Sequence, residues 1–419
     1  MTKKLLIAFI ALGLIYGVTT FLFHVFDDDE IDASYFRYLT NGNDTITITD
    51  YEGGHKALNF PSEIEGDPVV EINIPSLSAE DHETEIETIK FPSTLETITD
   101  FDFFRRENLR SIEVASGNDH FASEDGILYS ADKSELIAVP IKKNIPEFTV
   151  PASVREIGSL AFYRNDSLTI LDFERGSKLE SIGPYAFDDA ENLESVTFPE
   201  GLKTISGAAF SDTRIRKVEL PESLRAIGTS AFGDNEHLSE ITFNEGLEVI
   251  GVEAFAGGFP AAKVATIELP STLKEIGAEA FDYLEVSGTL HIPKNVEIIG
   301  ERAFAHNRID TLTFADESRL EVIGKDAFSM GEFEEVRIPK SVELIEDDAF
   351  FDVEDLTVVL PESNDGSLVE LEETDSEYPS PFEEDVTIVV PDAMYDDYFN
   401  APGYEEHYQD ALVRESEWE

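Results

Sequence analysis

Side chains that could perform chemistry are numerous in this 419-residue chain, but few of them stand at spacings that indicate a catalytic or metal-binding site. The chain has eight histidines and no cysteine. No two histidines stand at metal-ligand spacing, and neither a His-Glu-x-x-His motif nor a Gly-x-Ser-x-Gly motif nor a Gly-Lys-Ser/Thr phosphate loop occurs. We therefore predict no catalytic residue, no metal site and no cofactor. Without cysteine, disulfide scaffolds and thiolate chemistry are excluded.

Carboxylates are the remaining candidates, because 88 residues are Asp or Glu. No pair can be singled out among so many, and solvated surface charge is the simpler interpretation. A hydrolase that uses carboxylates in segment 362–385 or 115–147 is kept as an alternative. Pro361 and Ser363 stand where an EF-hand loop needs carboxylates, so an EF-hand is not predicted. Weak Ca²⁺ binding by surface carboxylates stays open.

The formal net charge of −58 argues against nucleic acid as a partner, because a polyanion repels phosphates. Three explanations of the charge remain open. The first is adaptation to a salty medium, in which salt screens the self-repulsion. The second is that the carboxylates make many weak contacts with divalent cations. The third is that the charge attracts a cationic partner.

The first thirty residues predict a membrane anchor. Lys3 and Lys4 precede an apolar run from Leu5 to Phe26, which is long enough to span a bilayer, and four acidic residues follow it. The basic flank should stay in the cytoplasm and the acidic flank should cross. A cleaved signal peptide is the alternative, although the run lacks an Ala-x-Ala site near its end. The expected location is the cell membrane, with a single-pass anchor and an extracellular ectodomain.

The elements that must position any site come from a repeat. Ala-Phe recurs nine times, with the phenylalanines 25, 23, 22, 23, 26, 23, 24 and 22 residues apart. An Ile stands five residues before each Phe, and a Gly follows that Ile in seven copies. Such a fixed period indicates a solenoid. We expect the Gly to permit a tight bend. Asn165, Asn235 and Asn307 stand three residues after their Phe, where an amide can satisfy backbone groups between turns.

Between the Ala-Phe copies lie short runs that alternate apolar and polar residues and end in Pro, such as Val218-Glu219-Leu220-Pro221 and Ile267-Glu268-Leu269-Pro270. This alternation predicts a half-buried strand in each turn. One turn buries about seven side chains at roughly 1.5–3 kcal/mol each, while ordering its backbone costs about 1–2 kcal/mol per residue. A single turn is therefore not stable in isolation, and only stacked turns can fold stably.

The strands also predict an exposed face, because alternate residues point outward. Thr dominates these outward positions, which contain no aromatic residue. Seven of them are the candidate binding residues of the concave face: Thr197, Glu219, Thr242, Glu268, His291, Thr313 and Arg337. Solenoid concavities often bind ligands. The simpler alternative is that Thr is a good exposed strand residue.

The Ile-Gly-x-x-Ala-Phe and Leu-x-x-Ile-x-Leu-Pro pattern resembles the BspA-like leucine-rich-repeat family, from about Tyr38 to Leu412. Segments Thr45–Gly53 and Phe121–Val150 are similar to the family's opening module and hairpin insertion. The resemblance implies a leucine-rich-repeat solenoid that is mainly β with short helical turns. It also implies a non-enzymatic cell-surface recognition or adhesion module that binds an extracellular protein or glycan. A structural envelope spacer without a dedicated ligand is the alternative.

The predicted organisation follows from these observations. The segments, in chain order, are residues 1–26 as a cytoplasmic tip and transmembrane signal-anchor, 27–37 as an acidic linker, 38–75 as a β-rich N-terminal cap, 76–361 as the solenoid with a hairpin insertion at 115–147, 362–385 as an acidic loop, and 386–419 as a C-terminal strand, helical cap and tail.

Overall fold

A computed structural model describes residues 31–74, 86–100, 104–257, 262–362, 367–371, 381–382, 385–404 and 408–418. The anchor predicted at residues 5–26 lies outside them, as does most of the acidic loop predicted at 362–385. Among the residues described, none of the helices combines the length and apolar character that crossing a bilayer requires.

The described chain is a β-solenoid with little helix, and most of its turns contribute one strand to each of two sides, with two-residue strands on the first side. The two-residue strands are β13 Glu156–Ile157, β15 Ser181–Ile182, β17 Thr204–Ile205, β19 Ala226–Ile227, β21 Val249–Ile250, β22 Glu275–Ile276, β24 Ile298–Ile299, β26 Val322–Ile323, β28 Leu344–Ile345 and β30 Glu370–Leu371. They pair in parallel from β13 to β30, in one 13-stranded sheet that also includes a hairpin. The repeat pattern contains an Ile at this position, five residues before each Phe, but it did not predict this sheet.

The other strands, all but β16 three residues or longer, lie on a second side, which we call the long-strand face. They are β12 Glu147–Val150, β14 Ile170–Phe173, β16 Ser195–Val196, β18 Lys217–Glu219, β20 Glu240–Thr242, β23 Ser287–Ile292, β25 Arg308–Phe314, β27 Glu335–Arg337, β29 Thr357–Val359, β31 Thr387–Val390 and β32 Leu412–Arg414. Their pairing is interrupted, so they form four separate sheets: β12-β14-β16, β18-β20, β23-β25 and β27-β29-β31-β32.

The strand predicted around Ile267 is wrong, because residues 262–270 form no strand. This segment lies within the longest repeat interval, the 26 residues from Phe255 to Phe281, and it forms no strand pairing with β20 or β23. Val264 and Ile267 are nevertheless buried. The inward alternation of side chains thus persists where the backbone ladder is lost.

The two ends differ from the repeats. The N-terminal strands are β1 Phe36–Thr40, β2 Ile46–Tyr51, β3 Ala57–Asn59, β4 Glu63–Ile64, β5 Asp67–Ile72, β6 Thr88–Phe91, β7 Thr97–Ile98 and β8 Ser111–Val114. The hairpin strands are β9 Phe121–Glu124, β10 Ile127–Ser130 and β11 Glu135–Ala138, and β11 joins β13. The C-terminal end carries helix α1, Tyr395–Phe399, and 3₁₀ helices at Asp392–Met394 and Glu415–Glu417; another 3₁₀ helix, Ala33–Tyr35, precedes β1.

A column of stacked phenylalanine rings fills the core. The rings of Phe162 and Phe187 are 4.6 Å apart, and those of Phe187 and Phe210 are 4.8 Å apart and nearly parallel. The stack continues turn by turn to Phe382. The same segments hydrogen-bond through the backbone, since Phe187 N donates to Ala209 O at 2.8 Å and Phe232 N to Ala254 O at 2.8 Å. Adjacent turns are therefore joined at the Ala-Phe corner as well as by strands.

The glycines serve close packing rather than the tight bend that we expected. A Cβ at Gly277 would lie 2.5 Å from Val252 N, and one at Gly300 would lie 2.5 Å from Ala278 N. The left-handed backbone positions are instead held by the residue before Ala-Phe, such as Tyr185 at φ 57° and Ser230 at φ 52°. Glycine is thus needed because consecutive turns touch backbone to backbone.

The asparagine prediction is confirmed. Asn165, Asn235 and Asn307 are buried, and each amide donates to a backbone carbonyl of the preceding turn. These amides satisfy carbonyl groups that the strand ladders do not reach.

Candidate functional site

The seven predicted residues are all exposed, and all lie on the long-strand face. Each is next to a buried residue of its own turn, as Glu219 is next to Val218 and Thr242 next to Ile241. The structure divides them among separate strand groups. Glu219 and Thr242 are register partners in the β18-β20 sheet, and Thr197 lies just beyond the end of β16.

The other members are more scattered. Glu268 lies in the segment that forms no strand, and Arg337 ends β27. His291 and Thr313 are register partners on β23 and β25. Their side chains touch, with His291 Nδ1 3.0 Å from Thr313 Oγ1. This pair is a polar contact that offers both a donor and an acceptor to a ligand.

Electrostatic organisation on this face centres on Lys217. Its Nζ lies 2.6 Å from a carboxylate oxygen of Glu219 and 2.8 Å from one of Glu240. The hydrogen bonds that Lys217 donates to the carboxylates of Glu219 and Glu240 raise the pKa of Lys217 to about 12. The lysine therefore stays charged and ties one predicted residue, Glu219, into a cluster that spans two strands.

Two grooves border the long-strand face, and each contains one predicted residue. The first, of about 650 Å³, is lined by Thr197 together with Phe173 and Phe198. The second, of about 660 Å³, is lined by Arg337 together with Lys340. The first groove therefore presents half-buried aromatic rings at the margin of a face whose outward positions are polar.

The C-terminal segment approaches the second groove. Glu415 lines it, and the guanidinium carbon of Arg337 lies 5.6 Å from the ring centroid of Trp418, the single tryptophan of the chain. Arg337 Nε also lies 2.9 Å from Glu335 Oε1. This combination of an arginine with an aromatic ring is typical of interface residues that contribute strongly to binding.

One acidic cluster has a geometry that could hold a cation. Asp188, Asp189 and Asp212 each offer a carboxylate oxygen, and these oxygens lie within 4.8 Å of one another. Burial, followed by the charge of Asp189, raises the pKa of Asp188 to about 6. Burial also raises the pKa of Asp212. No metal site is predicted from the sequence, and exposed acidic groups commonly cluster in this way without a metal.

Sequence reasoning did not find the grooves, the contact between Arg337 and Trp418, or the aspartate cluster. The sequence signal for the first groove was the aromatic residue that ends several strand runs, at Phe173 and Phe198. The signal for the cluster was an Asp recurring shortly after Phe, at Asp189 and Asp212. The approach of Trp418 had no local signal, because it depends on how the end of the chain folds back.

Comparison with protein families identifies the repeat. A model described as a BspA type leucine rich repeat region matches in six copies, over residues 80–125, 155–260 and 258–366, which is more than half of the chain. No curated protein sequence matches the chain.

Several solved structures match much of the chain. A leucine rich cell surface protein from Faecalibacterium prausnitzii is 20% identical over 82% of this chain and 94% of its own, with a TM-score of 0.47. A leucine-rich repeat protein from Bacteroides ovatus is 19% identical over 93% of this chain and 99% of its own, with a TM-score of 0.43. One from Eubacterium ventriosum is 17% identical over 76% and 93%, with a TM-score of 0.37.

Proposed function

The chain belongs to the BspA-type leucine-rich-repeat family, and we propose that it is a non-enzymatic recognition module that binds an extracellular protein or glycan through its long-strand face. The observation that carries the proposal is the series of exposed polar side chains on this face, each next to a buried residue of its own turn. Parallel strands are about 4.8 Å apart, so side chains at equivalent positions in successive paired strands form a regular array. Such an array suits a long polymer or an extended protein surface.

Three features of this face support recognition rather than mere solvation. His291 and Thr313 present a joined polar pair, Lys217 is held between two carboxylates, and Arg337 stands beside an aromatic ring at a groove. Polar groups that their neighbours already hold in place lose less conformational entropy when a ligand binds.

Display outside the cytoplasm is the second part of the proposal. Residues 5–26 would cross the membrane, with Lys3 and Lys4 on the cytoplasmic side and the solenoid outside. Cell fractionation tests this part. The intact chain should sediment with membranes, whereas release of a product that lacks the first 26 residues would mean that the segment is a cleaved signal peptide.

The binding test uses the full chain, reconstituted in zwitterionic-lipid nanodiscs, on a panel of immobilised extracellular proteins, glycans and envelope polymers. The face variant combines Glu219→Ala, Glu268→Ala and Arg337→Ala. The matched control combines Glu191→Ala, Glu236→Ala and Arg214→Ala, which are exposed positions away from the long-strand face with the same change of net charge. Retained melting temperature should show that both variants fold.

We expect one ligand class to bind the wild type and the control, and to bind the face variant at least tenfold more weakly. Equal weakening in both variants would mean that net charge alone attracts the ligand. If no member of the panel binds, with or without calcium and at low and high salt, the structural envelope spacer becomes the better description.

A further inference from the structure

The 13-stranded sheet that contains the two-residue strands is called the short-strand sheet below. The residues on its outer side change from polar to aliphatic along the solenoid. In three consecutive turns its strands β24, β26 and β28 carry an aliphatic residue that points outward, followed by an isoleucine whose side chain is fully buried. The outward residues are Ile298, Val322 and Leu344, and Ile298 is 46% exposed. Val322 is the register partner of both Ile298 and Leu344. The three side chains therefore form one continuous aliphatic stripe.

A row of acids runs beside this stripe. Glu297, Glu321 and Glu343 are exposed and directly precede the three aliphatic residues. Their turns are joined in register, because Glu321 N donates to Glu297 O and Glu343 N donates to Glu321 O, both at 2.9 Å. Within the described ranges, no lysine or arginine forms an ion pair with these three carboxylates.

The equivalent positions nearer the N-terminus are built differently. There the residue before the short strand alternates in charge, as Arg155, Glu180 and Lys203 do on successive turns. Glu180 lies 2.8 Å from Arg155 and 2.6 Å from Lys203, so these charges neutralise one another. The outward strand residues beside them, Ser181 and Thr204, are polar. Glu248 and Val249 repeat the acidic and aliphatic composition in one isolated turn, but Glu248 forms an ion pair with Lys274. Among the turns described, three consecutive ones therefore combine the aliphatic residue with an acid that forms no ion pair.

We propose that these three turns form a docking surface for a cationic amphipathic helix of a partner protein. A partner must supply an aliphatic strip for the stripe and a parallel row of Lys or Arg for the acids. Successive turns of this solenoid side are about 4.8 Å apart, and the pitch of an α-helix is about 5.4 Å. A helix aligned with the solenoid axis therefore places residues i, i+4 and i+7 opposite successive turns.

Charge complementarity selects this occupant over the others available. A second copy of this chain would bring another net charge of −58 to an acidic row, and like charges across an interface are unfavourable. The chain's own segment 362–385 is also acidic. This surface is not the long-strand face, so the docking proposal and the proposed recognition function can fail separately.

The test measures binding of a synthetic 18-residue helical peptide, with a leucine strip flanked by lysines, to the full chain in zwitterionic-lipid nanodiscs. Empty nanodiscs supply the blank. A peptide of the same composition in scrambled order, with no amphipathic face, controls for net charge. One variant removes the stripe (Ile298→Thr, Val322→Thr and Leu344→Thr) and another removes the acids (Glu297→Gln, Glu321→Gln and Glu343→Gln).

The matched control carries Glu191→Gln, Glu236→Gln and Glu354→Gln, three exposed acids elsewhere whose loss changes the net charge equally. We expect each surface variant to weaken binding of the amphipathic peptide at least tenfold, and the control to weaken it less than threefold. Circular dichroism and melting temperature verify that the variants fold. Three results would each overturn the proposal. The acid variant and the matched control could weaken binding equally, the scrambled peptide could bind as tightly as the amphipathic one, or the stripe variant could bind the amphipathic peptide as tightly as the wild type does.

Discussion

The side-chain amide of Asn235 donates to the backbone carbonyl of Phe210, one full turn earlier in the solenoid, at 2.8 Å. Its Oδ1 accepts a hydrogen bond from the backbone N–H of Thr213 at 3.1 Å. Asn235 is 2% exposed, so water cannot replace either partner. The amide also donates to Phe232 O of its own turn at 2.8 Å, so one side chain satisfies buried groups on two consecutive turns.

Replacing Asn235 with Ala should lower the free energy of unfolding by about 2–3 kcal/mol, because a buried carbonyl and a buried N–H lose their partners. Urea denaturation followed by circular dichroism measures this change. Asn192→Ala is the matched control, since its amide also donates to the preceding turn, at Asp166 O, but in an exposed position. Equal losses for the two variants would show that burial does not set the cost.

Truncation of the phenylalanine column should be more costly. Phe210→Ala removes a ring that stacks on Phe187 at 4.8 Å and on Phe232 at 5.4 Å. We expect a loss of about 3–5 kcal/mol, from lost burial and the cavity left behind. Phe351→Ala serves as the control, because this neighbour of the column is 46% exposed. A similar shift of the urea midpoint in both variants would contradict the assigned role of the stack.

The raised pKa of Asp188, about 6, makes stability depend on pH. The folded protein holds this proton at higher pH than the unfolded chain does, so this carboxyl group lowers the free energy of unfolding as the pH rises from about 4 to about 6. Asp188→Asn should therefore stabilise the protein at pH 7 by about 1 kcal/mol, after allowance for solvent screening. The gain should shrink toward pH 4.

Thermal unfolding at several pH values checks this effect. Asp172→Asn is the comparison, because it removes an exposed carboxylate from the long-strand face. We expect its melting temperature to follow that of the wild type at every pH. A gain from Asp188→Asn that stays constant between pH 4 and pH 7 would be inconsistent with burial of the charge.

The net charge predicts a rise of melting temperature with salt. Self-repulsion among 58 excess negative charges is screened as NaCl increases from about 0.05 to about 0.5 M. Exposed ion pairs such as Glu180 with Lys203, at 2.6 Å, are screened too, but each contributes little. Differential scanning calorimetry measures the balance. A melting temperature that falls with salt would mean that the ion pairs outweigh the repulsion.

The sequence predicted the repeat architecture well, because its signals are local and recur. The alternation around Val218 fixes which residues are buried, and the position of Asn235 predicts an inter-turn hydrogen bond that the structure contains. Whether the seven candidate residues bind a ligand stays a prediction, although all seven are exposed on one face.

The parts that could not be predicted depend on how turns register with one another. The residues around Ile267 have the same alternation as a strand, yet their backbone has no ladder partner. The two-residue strands contain too few residues to show a period, so the sheet through Ile205 and Ile227 was not expected. Contact between Arg337 and Trp418 depends on residues far apart in the chain.

One side of the solenoid is a continuous sheet and the other is interrupted, and this difference affects how the solenoid can bend. The short-strand sheet is unbroken from β9 to β30, whereas the long-strand face is divided into four sheets. Spacing along the unbroken side is fixed by hydrogen bonds at every junction, so length changes concentrate in the gaps on the other side. We therefore expect bending of the solenoid to change the distances between the four sheets of the long-strand face, and to leave the stripe of Ile298, Val322 and Leu344 at constant spacing.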